Sequence, residues 1–185
     1  MSEFDLRKAL DEHRAAVESV ASLESALRRA VQSIRDTFGA GGRLFICGNG
    51  GSAADAQHFA AELTGRFEKE RRGYPAVALT TDTSALTSIG NDYGFEHIFA
   101  RQLQALAAAG DLLVAITTSG NSPNIVLALE LARQMGINSI GLLGRNGGAC
   151  AALVDIALTV KAQRTARIQE AHVLILHLLC EGLEA

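Results

Sequence analysis

The sequence predicts an α/β fold, a doubly wound parallel sheet of five strands flanked by helices on both faces. Between stretches of helical apolar spacing lie five short apolar runs of strand length, at 43–47, 75–80, 111–116, 138–143 and 156–160. Strands that are apolar throughout, rather than on alternate residues, are typical of a parallel sheet buried on both faces. Strands that alternate with helices predict the crossover connections that such a sheet needs.

Two helices are predicted before the first strand and one long helix after the last. Apolar residues recur at helical spacing over residues 3–38, with a break near Ala21. We expect this pair, within residues 1–40, to pack on the sheet or on another copy of the chain, because each helix is too polar to be stable alone. Residues 41–185 form the α/β core of one domain spanning 1–185, and residues 166–183 form its final helix.

Composition excludes several classes of protein. The chain has 185 residues, a net charge of -3 and 48% hydrophobic residues. It has no basic block of the kind that binds nucleic acid, and no apolar run long enough to predict a membrane span or a signal peptide. Its three cysteines, Cys47, Cys150 and Cys180, are far apart in apolar surroundings, which predicts free thiols in a reducing compartment.

A hydroxyl-rich turn links the third strand to the next helix. It comprises Thr117, Thr118, Ser119, Gly120, Asn121 and Ser122, and Pro123 follows at the first helical position. Ser122 is the predicted N-cap of the helix. Hydroxyls beside the free N–H groups of a helix N-terminus suit a phosphate monoester. The turn lacks the lysine of a nucleotide P-loop, and a turn that only caps a helix is an equally good interpretation of this stretch alone.

A second turn of this kind follows the first strand. It comprises Gly48, Asn49, Gly50, Gly51 and Ser52, with Ser52 as the candidate cap. Its glycine spacing does not match the dinucleotide-binding pattern, and a tight crossover turn is the alternative. Both turns lie at carboxyl ends of parallel strands, where ligands bind in such sheets, and this coincidence favours the phosphate site.

Histidine and carboxylate side chains supply candidate acid–base and metal-binding groups. His58 and Glu62 are four residues apart on one helix face, where they form either a metal-binding pair or a solvated surface pair. Gln169 and His177 are eight apart on the final helix, which places them roughly 80° apart around it, and they can flank one site. His177 lies in an apolar run, where a lone histidine is more often a core residue than a ligand, and the same holds for His172, a weaker candidate. Taken together, these groups are what an isomerase of sugar phosphates needs.

These segments resemble a known family. The stretch 47–52, followed by 55–59, 117–122 and 167–170, is similar to the sugar isomerase (SIS) fold and, within it, to the phosphoheptose isomerases. The resemblance implies conversion of sedoheptulose 7-phosphate to D-glycero-D-manno-heptose 7-phosphate, the first step towards ADP-heptose for the lipopolysaccharide core. It also implies a cytoplasmic homotetramer with sites between subunits and one divalent metal, usually zinc, per subunit.

The resemblance also implies roles for particular residues. The metal ligands fall on His58, Glu62, Gln169 and His177, and the proposed base and acid on Glu62 and His177. The substrate contacts fall on Asn49, Gly50, Gly51, Ser52, Glu62, Asn91, Asp92, Thr117, Thr118, Ser119, Ser122 and Gln169. Glu62 cannot easily be a tight ligand and a free base at once, so we expect it to rearrange when substrate binds. Some family members have an acidic residue where this chain has Ala166, and no role is transferred to that position.

Two other functions compete with the isomerase. Residues 165–170 also resemble a non-catalytic relative that binds the replication initiator DnaA. That relative lacks counterparts of Glu62 and His177, so their presence here favours the enzyme. A sugar-phosphate sensor would usually be fused to a DNA-binding domain, and the chain has neither the length nor the charge for one.

Overall fold

The computed structural model describes residues 5–185 and confirms the predicted α/β class. The strands are β1 (Leu44–Gly48), β2 (Ala76–Ala78), β3 (Leu112–Thr117), β4 (Asn138–Gly144) and β5 (Ile156–Val160). The helices are α1 (Leu6–Ser19), α2 (Glu24–Gly39), α3 (Gly51–Thr64), α4 (Thr83–Tyr93), α5 (Ile98–Leu106), α6 (Pro123–Gln134) and α7 (Thr165–Glu184). Residues 3 and 4 of the predicted first helix lie outside the described residues.

The order of the strands identifies the carboxyl ends of β1 and β3 as the place where a ligand is expected. All neighbouring strands are parallel, and the order across the sheet is β2-β1-β3-β4-β5. The chain runs outward from β1 to β2 and then crosses back to β3, so the direction of winding reverses between β1 and β3. Gly48 of β1 pairs with Ile116 of β3, and both strands therefore end at nearly the same level. Ligands bind at such a switch point in open α/β sheets.

The two faces of the sheet explain why its strands are apolar throughout. Leu44 and Ile46 of β1 pack in a core with α1, α2, α3 and α7, whereas Phe45 and Cys47 pack in a second core with α5 and α6. All five residues of β1 are buried. The cysteines Cys47, Cys150 and Cys180 are buried and free, as predicted.

The N-terminal helices pack on the first of these cores. A 3₁₀ turn at Val20–Leu23 separates α1 from α2, at the predicted break. Ala16, Val20 and Ile34 are buried against the core. At the start of α1, in contrast, Leu6 and Leu10 are 58% and 46% exposed. The role of this pair in oligomerisation stays a prediction.

The connection between β2 and β3 differs from the prediction. The sequence predicts a short helix at 84–89 and a polar turn at 90–94, but α4 continues through Tyr93. Asp82 caps this helix through a 2.9 Å hydrogen bond from the Ala85 N–H to Oδ1, and the helix ends only at Gly94, whose φ of 95° favours glycine. The apolar spacing of residues 95–109 predicts a single helix there, but Phe95–His97 is a 3₁₀ turn and α5 ends at Leu106.

Within residues 5–185, no helix combines the length and the apolar composition that a membrane crossing requires.

Candidate active site

The loop after β1 turns sharply into α3. Gly50 occupies the cap position with a φ of 56°, and a Cβ added at Gly48 would overlap the Ser52 backbone. The turn therefore requires glycine at both positions. The prediction that Ser52 caps the helix is wrong, because α3 already begins at Gly51 and Ser52 lies inside its first turn. Ser52 is 3% exposed, and its backbone N–H donates to the Asn49 carbonyl at 3.0 Å.

The hydroxyls of the loop after β3 converge. Thr117 Oγ1 lies 3.3 Å from Ser122 Oγ and 3.5 Å from Ser119 Oγ, and it accepts a hydrogen bond from the Gly120 N–H. Pro123 is the first residue of α6, as predicted, and Ser122 stands at the cap position. Its side chain does not cap the helix, however, because the hydroxyl faces Thr117 across the loop. The loop thus gathers three hydroxyls at the amino end of α6.

An amide pair joins these two loops. Asn124 Nδ2 donates to Asn49 Oδ1 and Asn49 Nδ2 donates to Asn124 Oδ1, both at 2.8 Å. Asn124 is 2% exposed. No substrate contact was expected at Asn124, and its place in the first turn of a helix that flanks a candidate loop is the signal that identifies it. The pair holds together the two loops that the sequence predicted only separately.

Three of the four predicted metal ligands meet where α3 packs against α7. His58 Nε2 lies 2.9 Å from His177 Nε2 and 3.7 Å from Glu62 Oε1. The two imidazole rings meet edge to face, with centroids 5.2 Å apart, and the centroid of the Phe67 ring lies 5.6 Å from that of His177. His58 is exposed and His177 is half-buried. His177 is therefore paired with His58 rather than enclosed in the core.

The chemistry of this cluster fits a divalent metal after a small movement. Imidazole nitrogens and a carboxylate are the ligands that zinc prefers, and two imidazoles on one tetrahedral zinc have donor atoms about 3.3 Å apart. His58 Nε2 and His177 Nε2 are 2.9 Å apart, so they would separate by about 0.4 Å. Among the described residues, no three His, Cys, Asp or Glu side chains are already arranged around a common point for a metal.

Gln169 lies beside the first turn of α3, away from the cluster. A Cβ added at Gly51 would overlap the Gln169 side-chain amide, so this amide contacts the glycine-rich loop. Along α7, Gln169 precedes His177 by eight residues, which is about 12 Å of helix rise. Within one chain, Gln169 is thus placed for contact with a ligand at the loop, and its role as a metal ligand stays a prediction.

Asn91 and Asp92 make no side-chain hydrogen bond to either loop in the described part of the chain. Both are exposed at the carboxyl end of α4, where Asn91 Nδ2 donates to Asp92 Oδ1 at 2.8 Å. The amino end of α4 follows the carboxyl end of β2, and Asn91 and Asp92 come about two helical turns after that end. Their predicted contact with substrate stays a prediction.

Asp55 is an acidic residue that was assigned no role from the sequence. It lies one turn before His58 on α3, and its Oδ2 is buried with no hydrogen-bond partner within residues 5–185. Burial raises the pKa of the Asp55 carboxyl, and the nearby His58 opposes that rise. A second carboxyl thus accompanies Glu62 next to the imidazole pair.

His172 belongs to the core and not to the site. It is fully buried, and its Nε2 lies 3.0 Å from the Leu143 carbonyl, to which a neutral ring donates. Burial lowers the pKa of His172 to about 4, although the hydrogen bond to Leu143 acts in the opposite direction. The ring is therefore uncharged near neutral pH.

The end of α7 anchors the loop that follows α3. The Glu184 carboxylate accepts backbone N–H groups of Phe67, Glu68 and Lys69 at 3.2, 3.0 and 2.8 Å, and Arg71 Nε donates to it at 2.9 Å. The Glu184 side chain is only 4% exposed. Burial raises the pKa of Glu184, but these hydrogen bonds outweigh it and lower the pKa to about 2. The anchored loop carries the aromatic ring that lies on His177.

We expect Glu184→Gln to destabilise the chain near neutral pH, and less so in acid. Because folding lowers the pKa of Glu184 from 4.5 to about 2, its carboxylate stabilises the fold above about pH 4.5 and loses that effect as pH falls through this range. Urea unfolding midpoints of wild type and variant should therefore converge between about pH 7 and about pH 3. Glu181→Gln, at an exposed site on the same helix, is the control. A gap that stays constant with pH would contradict this assignment.

Comparisons with known proteins agree with the fold. The SIS domain family model matches residues 10–144. A phosphoheptose isomerase from Geotalea uraniireducens (strain Rf4) is 53% identical over 181 residues, which cover 97% of this chain and 96% of that relative.

Solved structures of phosphoheptose isomerases are similar over the same length. The enzyme from Neisseria gonorrhoeae is 47% identical, with a TM-score of 0.89 over 96% of this chain and 95% of that one. The enzyme from Francisella tularensis is 40% identical, with a TM-score of 0.90 over 95% and 94%. These matches span both loops, α3 and α7. The chain belongs to the SIS domain family and, within it, to the phosphoheptose isomerases.

Proposed function

We propose that the chain is an aldose–ketose isomerase that converts sedoheptulose 7-phosphate to D-glycero-D-manno-heptose 7-phosphate. The observation that carries this proposal is the placement of two polar loops at the amino end of α3 and of an imidazole–carboxylate cluster further along the same helix. The two loops are those at the switch point, and the cluster is formed by His58, Glu62 and His177. The named relatives share this length of chain and support the same reaction.

The loops bind and orient the sugar phosphate. The hydroxyls of Thr117, Ser119 and Ser122 donate to phosphate oxygens, and the amino end of α6 adds free N–H groups and a partial positive charge. Asn49 and the backbone of Gly50 and Gly51 approach the ligand from the other loop. Gln169 lies against Gly51 and is placed to contact the sugar.

Glu62 and His177 transfer protons at the other end of the sugar. Isomerisation removes a proton from the carbon next to the carbonyl and returns it to the neighbouring carbon through an enediol. The Glu62 carboxylate takes and returns this proton, while the His177 imidazole moves a proton between the two sugar oxygens. The contact of His58 with both side chains keeps them beside each other.

His58, Glu62 and His177, with Gln169 as the fourth predicted donor, would hold one divalent metal per subunit, and zinc fits this ligand set best. Bound there, a metal polarises the sugar carbonyl and lowers the energy of the enediolate. Glu62 would then move between its role as a ligand and its role as a base when substrate binds. Metal content per chain, measured with and without substrate analogue, tests this rearrangement.

We further propose a cytoplasmic homotetramer that acts at the first step of ADP-heptose synthesis for lipopolysaccharide. Two observations support sites between subunits. The exposed Leu6 and Leu10 extend an apolar stripe of α1 that a second copy would cover. The exposed side chains of Asn91 and Asp92 hydrogen-bond to each other and, within residues 5–185, to neither loop. The DnaA-binding alternative is not favoured, because the relatives are isomerases and Glu62 and His177 are both present.

We expect His177→Ala to lose at least about a hundredfold in kcat on sedoheptulose 7-phosphate, because an acid–base group contributes about that much or more. Turnover of wild type should also fall on treatment with a chelator and return on addition of zinc. His97→Ala, which changes a histidine on the opposite side of the sheet, is the control and should keep wild-type kcat. A folded, metal-loaded wild type without turnover would refute the proposed function, and binding to DnaA would then be tested by pull-down.

A further inference from the structure

Asn124 is the most completely enclosed polar side chain next to the candidate site that the proposed mechanism does not use. It lies in the first turn of α6 and is 2% exposed. Its side-chain amide exchanges two hydrogen bonds of 2.8 Å with Asn49, which is 75 residues away along the chain. A buried amide that makes both of its hydrogen bonds to one partner fixes the orientation of that partner's side chain.

The pair leaves a defined part of Asn49 free. A primary amide has two N–H donors and an oxygen that accepts two hydrogen bonds, and the reciprocal pair uses one donor and one acceptor position of each amide. Asn124 is buried, whereas Asn49 is half-buried, so the unused N–H and lone pair of Asn49 remain accessible to a ligand. Rotation of the Asn49 amide would break both hydrogen bonds, and Asn124 therefore determines where the free N–H points.

The pair also sets the distance between the two loops. Asn49 directly follows the last residue of β1, and Asn124 comes two residues after Ser122 of the hydroxyl loop. The two hydrogen bonds thus hold the glycine-rich loop and the hydroxyl loop side by side above the switch point. A phosphate or sugar held by both loops depends on this spacing, because each loop provides part of its hydrogen bonds.

We propose that Asn124 is a positioning residue for sugar-phosphate binding, which acts through Asn49 and does not touch the substrate. This inference rests on the proposed function, in which the two loops hold the sugar phosphate. Because the acid–base groups lie further along α3 and α7, loss of the pair weakens substrate binding more than it slows the chemical step.

The test is a double-mutant cycle of Asn124→Ala, Asn49→Ala and the double variant. We expect Asn124→Ala to raise KM for sedoheptulose 7-phosphate about tenfold or more, with kcat within about threefold of wild type. In the Asn49→Ala background, the added Asn124→Ala substitution should change KM by less than about twofold, because its effect passes through Asn49. Asn138→Ala is the control and should leave KM and kcat unchanged. Asn138 is exposed and is the first residue of β4, at the end of the strands away from the two loops.

Additive effects of the two substitutions on KM would overturn the inference. It would also be overturned if Asn124→Ala lowered the melting temperature and left KM unchanged. Calorimetric titration with inorganic phosphate separates this inference from the proposed function. If wild type binds phosphate but does not turn over the sugar, the proposed function fails, and the same cycle is judged on phosphate affinity. If wild type neither binds phosphate nor turns over the sugar, both proposals are wrong.

Discussion

Glu62→Gln is expected to lower kcat on sedoheptulose 7-phosphate by about a hundred- to ten-thousandfold, with little change in KM. The Glu62 side chain is 25% exposed and lies 3.7 Å from His58, so an amide of the same shape fits the same space. In the proposed mechanism the carboxylate removes a proton from carbon, and the amide cannot accept that proton. The loops that hold the sugar phosphate are unchanged, and binding should persist.

The measurement is steady-state kinetics together with the metal content of each protein. If Glu62→Gln retains its metal and loses kcat, the carboxylate acts chiefly as a base; if metal and kcat are lost together, it acts as a ligand. Glu130→Gln, at an exposed site on α6, is the matched control and should behave as wild type. A Glu62→Gln enzyme within about threefold of wild-type kcat would remove Glu62 from the reaction.

Gly120→Ala is expected to inactivate the enzyme and to destabilise it by about 2–5 kcal/mol. Gly120 has a φ of 68°, and a Cβ there would overlap the backbone of Gly147. The Gly120 N–H donates to Thr117 Oγ1, and its carbonyl accepts the Cys150 N–H. Displacing this glycine would therefore separate the converging hydroxyls and break a contact with the turn after β4.

Gly136 provides a control that separates strain from steric overlap. Its φ is also 68°, but an added Cβ there would meet no atom within 4 Å. Gly136→Ala should therefore show only the strain of the left-handed backbone, about 1–2 kcal/mol, with normal kcat. Urea unfolding and steady-state kinetics of both variants measure the difference. Equal losses of stability in the two variants would mean that the overlap at Gly120 is relieved without disturbing the loop.

Much of the fold was predictable because its signals are local. The five strands and the long final helix follow from apolar periodicity, and the break between α1 and α2 falls at the predicted place. The errors occurred where local signals conflict. Residues 90–93 are rich in turn-forming residues, yet they continue α4, because a helix capped at Asp82 adds residues at little cost once it is nucleated. The helix ends at Gly94, where the backbone adopts a φ of 95°.

The sequence by itself determined which chemical groups this protein has and where in each element they stand. It supplied the two loops at strand ends, the His58–Glu62 pair on one helix face and the cap position of Ser122, because each depends on residues close in the chain. Only the tertiary structure decided which groups meet. The strand order sets the two loops side by side. The amide pair joins Asn124 to Asn49, 75 positions away, and the imidazole contact joins His58 to His177, 119 positions away. Such contacts depend on how the helices pack across the sheet rather than on local periodicity.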